Sequence, residues 1–448
     1  MRTEPSYPSS VWAWFVLALL VLGSLVAFVD RQVVAIVVEP MKADLGVGDT
    51  QIGWLYGVFA LFYALAALPI AGIADKGSRT GLIAVGIFLW SLMTIACGLG
   101  RHYWLILLAR IGVGIGEATL TPATNSLVGD YFPREKIPLA LSVFQTGAII
   151  GSGLAFLIGG VVLGYVEDAQ PMVLPVVGEL RPWQQTFAYV GLPGFILAAI
   201  FWLLKEPTRR TSPTQQAGNA TGSKLFSNEL IAFYKTHKTT LMLHHLGFLS
   251  LVLMGYAFVF WTVTYFVRVH GMAPADASQA FGWVFLVAGP FGPILVAIAA
   301  SRLRARGHMD ANIVTGMVGG LLVIPVIILI QFAPSATIAL MLYVPAIMLV
   351  NSPFGIAAAA LPMIAPAPLR ARVAAVYMLV GSVGMLFGPP LAGFFNEYVF
   401  PESDGVRYSM VTLTTLFGVL GGVLLQLARP HYARSLQAAE DLEPTRQV

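Results

Sequence analysis

Residues 28–34 read FVDRQVV and place an acid, Asp30, directly beside a base, Arg31, inside a long apolar segment. The segment runs from residue 11 to residue 38, and about 20 apolar residues suffice for a helix to cross a bilayer. One charge in the middle of a membrane costs at least about 2.5 kcal/mol, so the pair is not expected to face lipid. The alternative is a pair near a helix end that extends to the headgroups, since Asp30 lies roughly 12 Å from the far end of the segment. We expect the pair to face the protein interior or a water-filled cavity.

The composition is that of a protein embedded in a membrane. Of the 448 residues, 57% are hydrophobic and 11% are charged, whereas roughly one quarter of the residues of a soluble domain are charged. The sequence therefore predicts an all-α membrane protein with twelve transmembrane helices, which we expect in the cell membrane. The apolar stretches lie at 11–38, 50–74, 80–98, 102–129, 137–165, 185–204, 240–268, 275–300, 311–331, 335–363, 371–396 and 406–428.

Basic residues are concentrated in alternate loops. Most of the 26 Lys and Arg residues fall in the loops that share one side of the membrane with both termini. The positive-inside rule then predicts that the N and C termini are cytoplasmic.

The longest basic loop, residues 205–238, separates six apolar stretches from six others. It contains a flexible portion rich in Ser, Thr, Gln and Gly, and a segment at 225–234 that is typical of an amphipathic helix on the membrane surface. This arrangement resembles the outline of a major facilitator transporter, whose halves rock about a central site. We predict an N-terminal six-helix half at 1–204, a cytoplasmic linker at 205–238, a C-terminal six-helix half at 239–428 and a cytoplasmic tail at 429–448.

The loop between the second and third stretches reads AGIADKGSR at residues 71–79. It resembles the signature of the same superfamily, with Asp75, Lys76 and Arg79 at the matching acidic and basic positions, although two glycines that are usual there are replaced. In that superfamily the acid contacts the partner half in the outward-facing state. The resemblance implies a cytoplasmic gate formed by these three residues, and an ordinary charged turn is the alternative.

The fourth stretch carries a second pair of buried charges. Arg110 and Glu117 are seven residues apart, so they share one face of a helix about 10 Å apart along its axis. Arg110 is expected at about the depth of Asp30 and Arg31, and Glu117 is expected deeper, near the midplane of the membrane and within reach of Arg31. Two charges of each sign then occur at compatible depths, as buried charges require.

Three motifs together resemble the Spinster family of major facilitator transporters. They are the Asp30-Arg31 pair, the run from Ala109 to Ala118 that contains VGIGEA, and GSGL at residues 151–154. The resemblance implies a transporter of sphingolipids, sphingosine-1-phosphate or lysophospholipids. It also implies that the membrane charges bind the substrate headgroup and couple transport to protons. The anion:cation symporter branch of the superfamily shares the charged motifs and is the main competitor.

Within that scheme the four charges divide by sign. Arg31 and Arg110 are expected to bind an anionic headgroup, because the guanidinium forms paired hydrogen bonds with phosphate. Asp30 and Glu117 are the candidate proton carriers, because a carboxylate becomes neutral or charged according to whether an arginine is near.

The second half has no Asp, Glu, Lys or Arg well inside its apolar stretches, but it is rich in aromatic residues. One charged wall and one apolar wall suit an amphiphile, whereas a small hydrophilic anion would leave the apolar wall without a role. Plain helix packing is the alternative explanation for most of these side chains. The weaker candidates for a substrate cavity are Tyr256, Trp261, Thr264, Asn351 and Phe354.

We therefore predict a monomeric transporter that moves an amphipathic lipid by alternating access, driven by an ion gradient that we expect to be one of protons. A symporter for a small organic anion would use the same residues. A passive lipid scramblase or a membrane receptor is the alternative from another class, and an imposed proton gradient that drives uphill movement would exclude the passive form.

Other chemistry finds no support in the sequence. It contains no phosphate-binding P-loop, no HExxH motif and no paired Cys/His metal spacing. We therefore expect neither an enzyme nor an ATP-driven pump, and we predict no cofactor, no metal and no nucleic-acid partner. The expected partners are the lipid substrate, protons and membrane lipids.

Overall fold

The computed structural model describes residues 7–170, 172–175, 178–209 and 227–442, and these are almost entirely helical. In this described part of the chain, twelve helical spans are long and apolar enough to cross a membrane. The prediction of an all-α protein with twelve transmembrane helices is confirmed. The orientation with both termini in the cytoplasm stays a prediction.

The helices are numbered here in chain order. They are α1 (Ser10–Ile36), α2 (Val38–Leu45), α3 (Asp49–Lys76), α4 (Arg79–Leu99), α5 (Tyr103–Glu117), α6 (Leu120–Tyr131), α7 (Ile137–Asp168), α8 (Pro182–Leu203), α9 (Asn228–Thr236), α10 (Lys238–His270), α11 (Pro274–Ala288), α12 (Phe291–Ala305), α13 (Ala311–Gln331), α14 (Ala336–Ile364), α15 (Arg370–Phe394) and α16 (Val406–Leu442). A short antiparallel hairpin of β1 (Met172–Leu174) and β2 (Gly178–Leu180) connects α7 to α8.

Serine side chains begin several of these helices. In each case the hydroxyl accepts a hydrogen bond from a backbone N–H in the first turn, which would otherwise lack a partner. These residues are Ser9 before α1, Ser78 before α4, Ser227 before α9 and Ser335 before α14.

The fourth span is broken in its middle. The span runs over Tyr103–Tyr131, but α5 ends at Glu117 and α6 starts at Leu120. The hydroxyl of Thr119 donates to the carbonyl of Gly116 at 2.8 Å, which supplies a partner for the interrupted backbone. Glu117 therefore lies at a helix break inside a membrane span.

The chain divides into two compact units. Unit 1 contains Met1–Thr211, Phe260–Leu286 and Pro389–Tyr398, and unit 2 contains Ser212–Val259, Val287–Gly388 and Val399–Val448. These units do not coincide with the predicted halves, because unit 1 includes the end of α10, most of α11 and the end of α15. The predicted boundaries at 204, 238 and 428 stay a prediction.

In unit 1, α5 packs closely against α3 and α4 because its glycines present no side chain. A Cβ atom on Gly114 would lie 2.5 Å from the carbonyl oxygen of Phe59, and one on Gly116 would lie 2.8 Å from the backbone nitrogen of Trp90. The glycines of the VGIGEA run thus determine how close Arg110 and Glu117 come to the neighbouring helices.

In unit 2, α13 packs against α14 and α16. The segment predicted as a tail from residue 429 continues α16 as a helix to Leu442. It is held by Arg429, whose Nε lies 2.6 Å from Asp310, and by Tyr432, whose hydroxyl donates to the carbonyl of Ala360 at 2.8 Å. The predicted amphipathic helix is present as α9, with Leu230 and Phe233 buried. Most of the predicted flexible linker, residues 210–226, lies outside the described residues.

Candidate functional site

Arg31 and Glu117 form an ion pair between α1 and the broken end of α5. Arg31 Nη2 lies 2.7 Å from Glu117 Oε2, and the side chain of Arg31 is 15% exposed whereas that of Glu117 is 1% exposed. The structure thus brings together the two residues that the sequence places within reach of each other. Of this pair, the arginine is the member that a ligand can approach.

Three aromatic rings surround the guanidinium of Arg31. Its central carbon lies 4.9, 5.0 and 5.4 Å from the ring centroids of Phe28, Phe59 and Tyr63 respectively. Each contact has the geometry of a cation–π interaction, which favours the charged group and limits its rotation. The sequence analysis did not identify these rings, although Phe28 is one helical turn before Arg31 and the other two share one face of α3.

Arg110 is buried completely and binds backbone carbonyls. Its Nη1 donates to the carbonyl of Asp30 at 3.0 Å, and its Nε donates to the carbonyl of Leu55 at 3.4 Å. The guanidinium also lies 4.9 Å from the ring of Phe59, which it shares with Arg31. In this conformation Arg110 fastens α1 and α3 to α5 and is not exposed to a headgroup, so its role in headgroup binding stays a prediction.

Asp30 is also completely buried, but its carboxylate is poorly partnered. Among the described residues neither carboxylate oxygen has a donor at normal hydrogen-bond geometry, and Thr94 is the neighbouring hydroxyl. Arg110 donates to the backbone carbonyl of Asp30 and forms no hydrogen bond with its carboxylate among the described contacts.

We call Asp30, Arg31, Arg110 and Glu117 the Arg31 cluster. Within the described residues, Nε of Arg31, Nη2 of Arg110 and Oε1 of Glu117 also lack hydrogen-bond partners. A buried polar atom without a partner costs about 1–3 kcal/mol, and a charged one more. The cluster is therefore incompletely satisfied, and a proton or a polar ligand would stabilise it.

A second charged group, which we call the Asp49 cluster, consists of Glu39, Lys42, Asp49, Arg268 and Asn396. Arg268 donates to both carboxylate oxygens of Asp49, at 2.6 and 2.8 Å, and to Glu39 at 2.8 Å. Lys42 and Asn396 also donate to Asp49. All five residues belong to unit 1, where they connect the start of α3 to the end of α10 and to residue 396. This cluster is not apparent from the sequence, because its members lie at the ends of distant apolar stretches.

Beyond the other end of α3, Arg79 contacts Asp130, which is buried, and Glu206, which is half-buried. We call these three residues the Arg79 cluster. Arg79 Nε is 2.7 Å from Glu206 Oε1. Burial raises the pKa of Glu206, but hydrogen bonds from Thr80 and Arg79 outweigh it, and the net pKa is lowered.

The three residues of the predicted cytoplasmic gate have different surroundings. Asp75 and Lys76 are exposed, whereas Arg79 is buried inside unit 1. Arg209 donates to the backbone carbonyls of Ala74 and Asp75 and so caps the end of α3. The gate role of Asp75, Lys76 and Arg79 stays a prediction.

The structure separates the predicted cavity residues. Trp261 is completely buried in unit 1 and its indole N–H donates to the carbonyl of Pro389 at 3.0 Å. It packs inside this unit in the conformation described, and its role in lining a cavity stays a prediction. Thr264 is buried near it along α10. In unit 2, Tyr256 and Phe354 are half-buried, with their rings edge to face at a centroid distance of 5.8 Å. Asn351, also half-buried, has an amide nitrogen without a partner among the described residues.

Comparison with known protein families supports this architecture. The sequence profile of the Major Facilitator Superfamily matches residues 20–357. The chain belongs to this superfamily. It is therefore a multi-pass membrane transporter and not an enzyme.

The resemblance to Spinster proteins is confirmed by several relatives. The sphingosine-1-phosphate transporter SPNS2 of Danio rerio is 27% identical over 64% of this chain and 56% of its own length. An MFS-type efflux pump of Mycolicibacterium smegmatis is 24% identical over 95% of this chain and 94% of the pump. A crystal structure of a bacterial homologue of the human lysosomal transporter Spinster, in an inward-facing and occupied conformation, superposes with a TM-score of 0.80 at 26% identity, over 96% of this chain and 99% of that chain.

Proposed function

We propose that this transporter carries an amphipathic lipid with an anionic headgroup, of the sphingosine-1-phosphate or lysophospholipid class, in exchange for or together with protons. The observation that carries the proposal is the ion pair between the partly exposed Arg31 and the buried Glu117. The Danio rerio relative is a sphingosine-1-phosphate transporter, and this similarity supports the proposed substrate class. Residues 1–204 and 239–428 would then act as the two halves of a monomer in the cell membrane, with both termini cytoplasmic.

Headgroup binding would take place at Arg31. The three aromatic rings around its guanidinium fix its position, so little conformational entropy is lost when a ligand binds. A phosphate can form two parallel hydrogen bonds with such a group and would replace Glu117 as its partner.

Proton binding would follow from the same exchange. When Arg31 turns to the headgroup, Glu117 is left as a buried carboxylate without its counter-charge, which favours uptake of a proton. Among the described residues Asp30 has no donor at normal hydrogen-bond geometry, so we propose that it holds a proton in this conformation. Substrate binding and proton uptake thus depend on the same arginine, and each favours the other.

The acyl chain would contact the aromatic residues of the second half. Tyr256 and Phe354 retain exposed ring surface, and Asn351 has an amide nitrogen free of partners in the described residues. Alternating access would be controlled on the cytoplasmic side by Asp75, Lys76 and Arg79.

Uptake into proteoliposomes tests the proposal, with sphingosine-1-phosphate, a lysophospholipid and a sugar acid offered separately, with and without an imposed proton gradient. We expect at least one lipid to accumulate only with the gradient, and the sugar acid to remain outside. Accumulation of the sugar acid alone would establish the organic-anion symporter instead. Equilibration of lipid that is insensitive to the gradient would establish a passive scramblase.

A further inference from the structure

A groove in unit 2 lies between α9 and the beginning of α10 and shares no residue with the clusters described above. Its volume is about 430 Å³, within the range of roughly 300–1,000 Å³ that is typical of ligand pockets. Its walls are almost entirely apolar. They are formed by Leu230, Ile231, Leu241, Met242 and Val376, together with Tyr234, His245 and the stems of Lys235 and Lys238.

Two lysines stand at the rim, where one helix ends and the next begins. Lys235 is in the last turn of α9 and Lys238 is the first residue of α10, and both are exposed. In the part of the chain that the structure describes, neither ammonium group is within ion-pair distance of a carboxylate. Two positive charges three residues apart repel each other, and an anion between them would remove that repulsion.

The polar groups at the floor already have partners. Tyr234 bonds to His245 Nε2 at 3.1 Å, His245 Nδ1 to His244 Nδ1 at 3.2 Å, and His244 Nε2 to the carbonyl of Ala357 at 3.1 Å. A carbonyl accepts only, so His244 Nε2 carries a hydrogen. With both rings neutral, His245 then donates to His244 and Tyr234 donates to His245.

In this arrangement the hydroxyl of Tyr234 already donates its hydrogen to His245 Nε2. Burial raises the pKa of Tyr234 to about 12, so the hydroxyl stays protonated and keeps this role. The floor therefore offers a ligand no free donor. The donors that remain at the groove are the two lysine ammonium groups, so the groove suits a molecule with an anionic head and an apolar body.

We propose that this groove binds one anionic phospholipid of the surrounding membrane, with its phosphate between Lys235 and Lys238 and one acyl chain along the apolar walls. The apolar surface continues out of the groove through Ile231 and Met242, which are 41% and 49% exposed. Exposed apolar side chains beside lysines on a short amphipathic helix are typical of a segment at the membrane interface. A membrane lipid is therefore the occupant that the charges and the apolar surface favour. The site is separate from the proposed substrate site and does not depend on transport.

Native mass spectrometry of the detergent-solubilised protein tests this inference, with phosphatidylglycerol as the anionic probe and phosphatidylcholine as the zwitterionic probe. We expect the parent to bind phosphatidylglycerol at least about tenfold more tightly than phosphatidylcholine, because each lysine near an anionic headgroup contributes to the free energy of binding. Lys235→Gln combined with Lys238→Gln should abolish this preference. Val376→Trp, which fills the groove and keeps both charges, should weaken binding of both lipids.

Arg134→Gln combined with Lys136→Gln is the matched control. Both residues are exposed and lie outside the groove, and the two substitutions remove the same number of positive charges as the Lys235/Lys238 variant. This control should bind both lipids as the parent does. Equal binding of the two lipids by the parent, or a loss of phosphatidylglycerol binding as large in the control as in the Lys235/Lys238 variant, would overturn the proposal. The parent's preference is measured without any substitution, so the test does not depend on how well a variant folds.

Discussion

The Arg31 cluster and the Asp49 cluster are built from the same residue types in the same unit, yet they differ in how completely their charges are partnered. Both oxygens of Asp49 accept hydrogen bonds, from Arg268, Lys42 and Asn396. Both oxygens of Asp30 lack a donor among the described residues, and the single bond of Glu117 leaves its other oxygen unpaired. A satisfied buried network holds one arrangement, whereas an incompletely satisfied one has partners to gain. The first property suits a structural contact, and the second suits a site that exchanges protons and ligands.

The largest effects on stability should come from residues that hold these clusters in place. Arg110→Met removes a fully buried charge and leaves the carbonyls of Asp30 and Leu55 without its hydrogen bonds, so we expect a loss of about 3–5 kcal/mol. Arg31→Met should cost clearly less, because Glu117 can take up a proton once its partner is gone. Apparent melting temperatures in detergent compare the two variants. Equal losses would mean that Arg110 and Arg31 have the same role.

Trp261 and Phe354 distinguish packing from substrate contact. Trp261 is completely buried and lies 5.9 Å from Arg268 of the Asp49 cluster, so Trp261→Ala should cost about 3–5 kcal/mol and reduce transport equally for all chain lengths. Phe354→Ala should preserve folding better and impair long-chain substrates more than short-chain ones. Transport of a series of lysolipids of increasing chain length checks this prediction, and a uniform loss for Phe354→Ala would remove it from the cavity.

The two aspartates give the sharpest comparison of the clusters. Asp49→Asn weakens charge-assisted bonds to Arg268 and Lys42, and we expect a loss of about 1.5–3 kcal/mol. Asp30→Asn replaces a carboxyl group that has no donor among the described residues, so stability should be unchanged or higher. The measurement is thermal unfolding of both variants beside the parent. A large loss for Asp30→Asn would show that its carboxylate is partnered after all.

The Arg79 cluster should resemble the Asp49 cluster, with a smaller effect that depends on pH. The pKa of Glu206 is lowered in the folded protein, so its contribution to stability is present above its ordinary value of 4.5 and is lost as the pH falls through the folded pKa. Glu206→Gln should therefore lower the melting temperature at pH 7 and approach the parent as the pH drops below about 4.5. A difference that stays constant with pH would exclude an ionised Glu206 as the stabilising form.

The twelve spans and the contact between Arg31 and Glu117 could be predicted from the sequence. Spans follow from long apolar runs, and the ion pair follows from the cost of placing charges in a membrane. Both predictions need only the pattern of apolar residues and the expected depth of each charge in the membrane.

The remaining features depend on which helices pack together, and apolar patterning does not determine this. The Asp49 cluster joins residues more than 200 positions apart. The rings of Phe59 and Tyr63 on α3 contact Arg31 on α1, and the backbone of both residues lies close to Gly114 on α5. Trp261 is predicted to line a cavity because aromatic residues suit both packing and acyl chains, and the sequence does not show its burial or its hydrogen bond to the carbonyl of Pro389.

The central claim is that Arg31 couples substrate to proton through Glu117, with Asp30 as the second proton carrier. Transport into proteoliposomes with and without an imposed proton gradient tests it most directly, after each variant has been shown to elute as a single peak in detergent. Glu117→Gln keeps the volume of the side chain but cannot be ionised, so it should transport at a rate that no longer responds to the gradient, and Asp30→Asn should reduce the response. Glu135→Gln, an exposed acid between α6 and α7, is the control and should respond as the parent does. If Glu117→Gln and Asp30→Asn both respond to the gradient as strongly as the parent, the proton binds elsewhere or the coupling ion is not a proton, and the account is wrong.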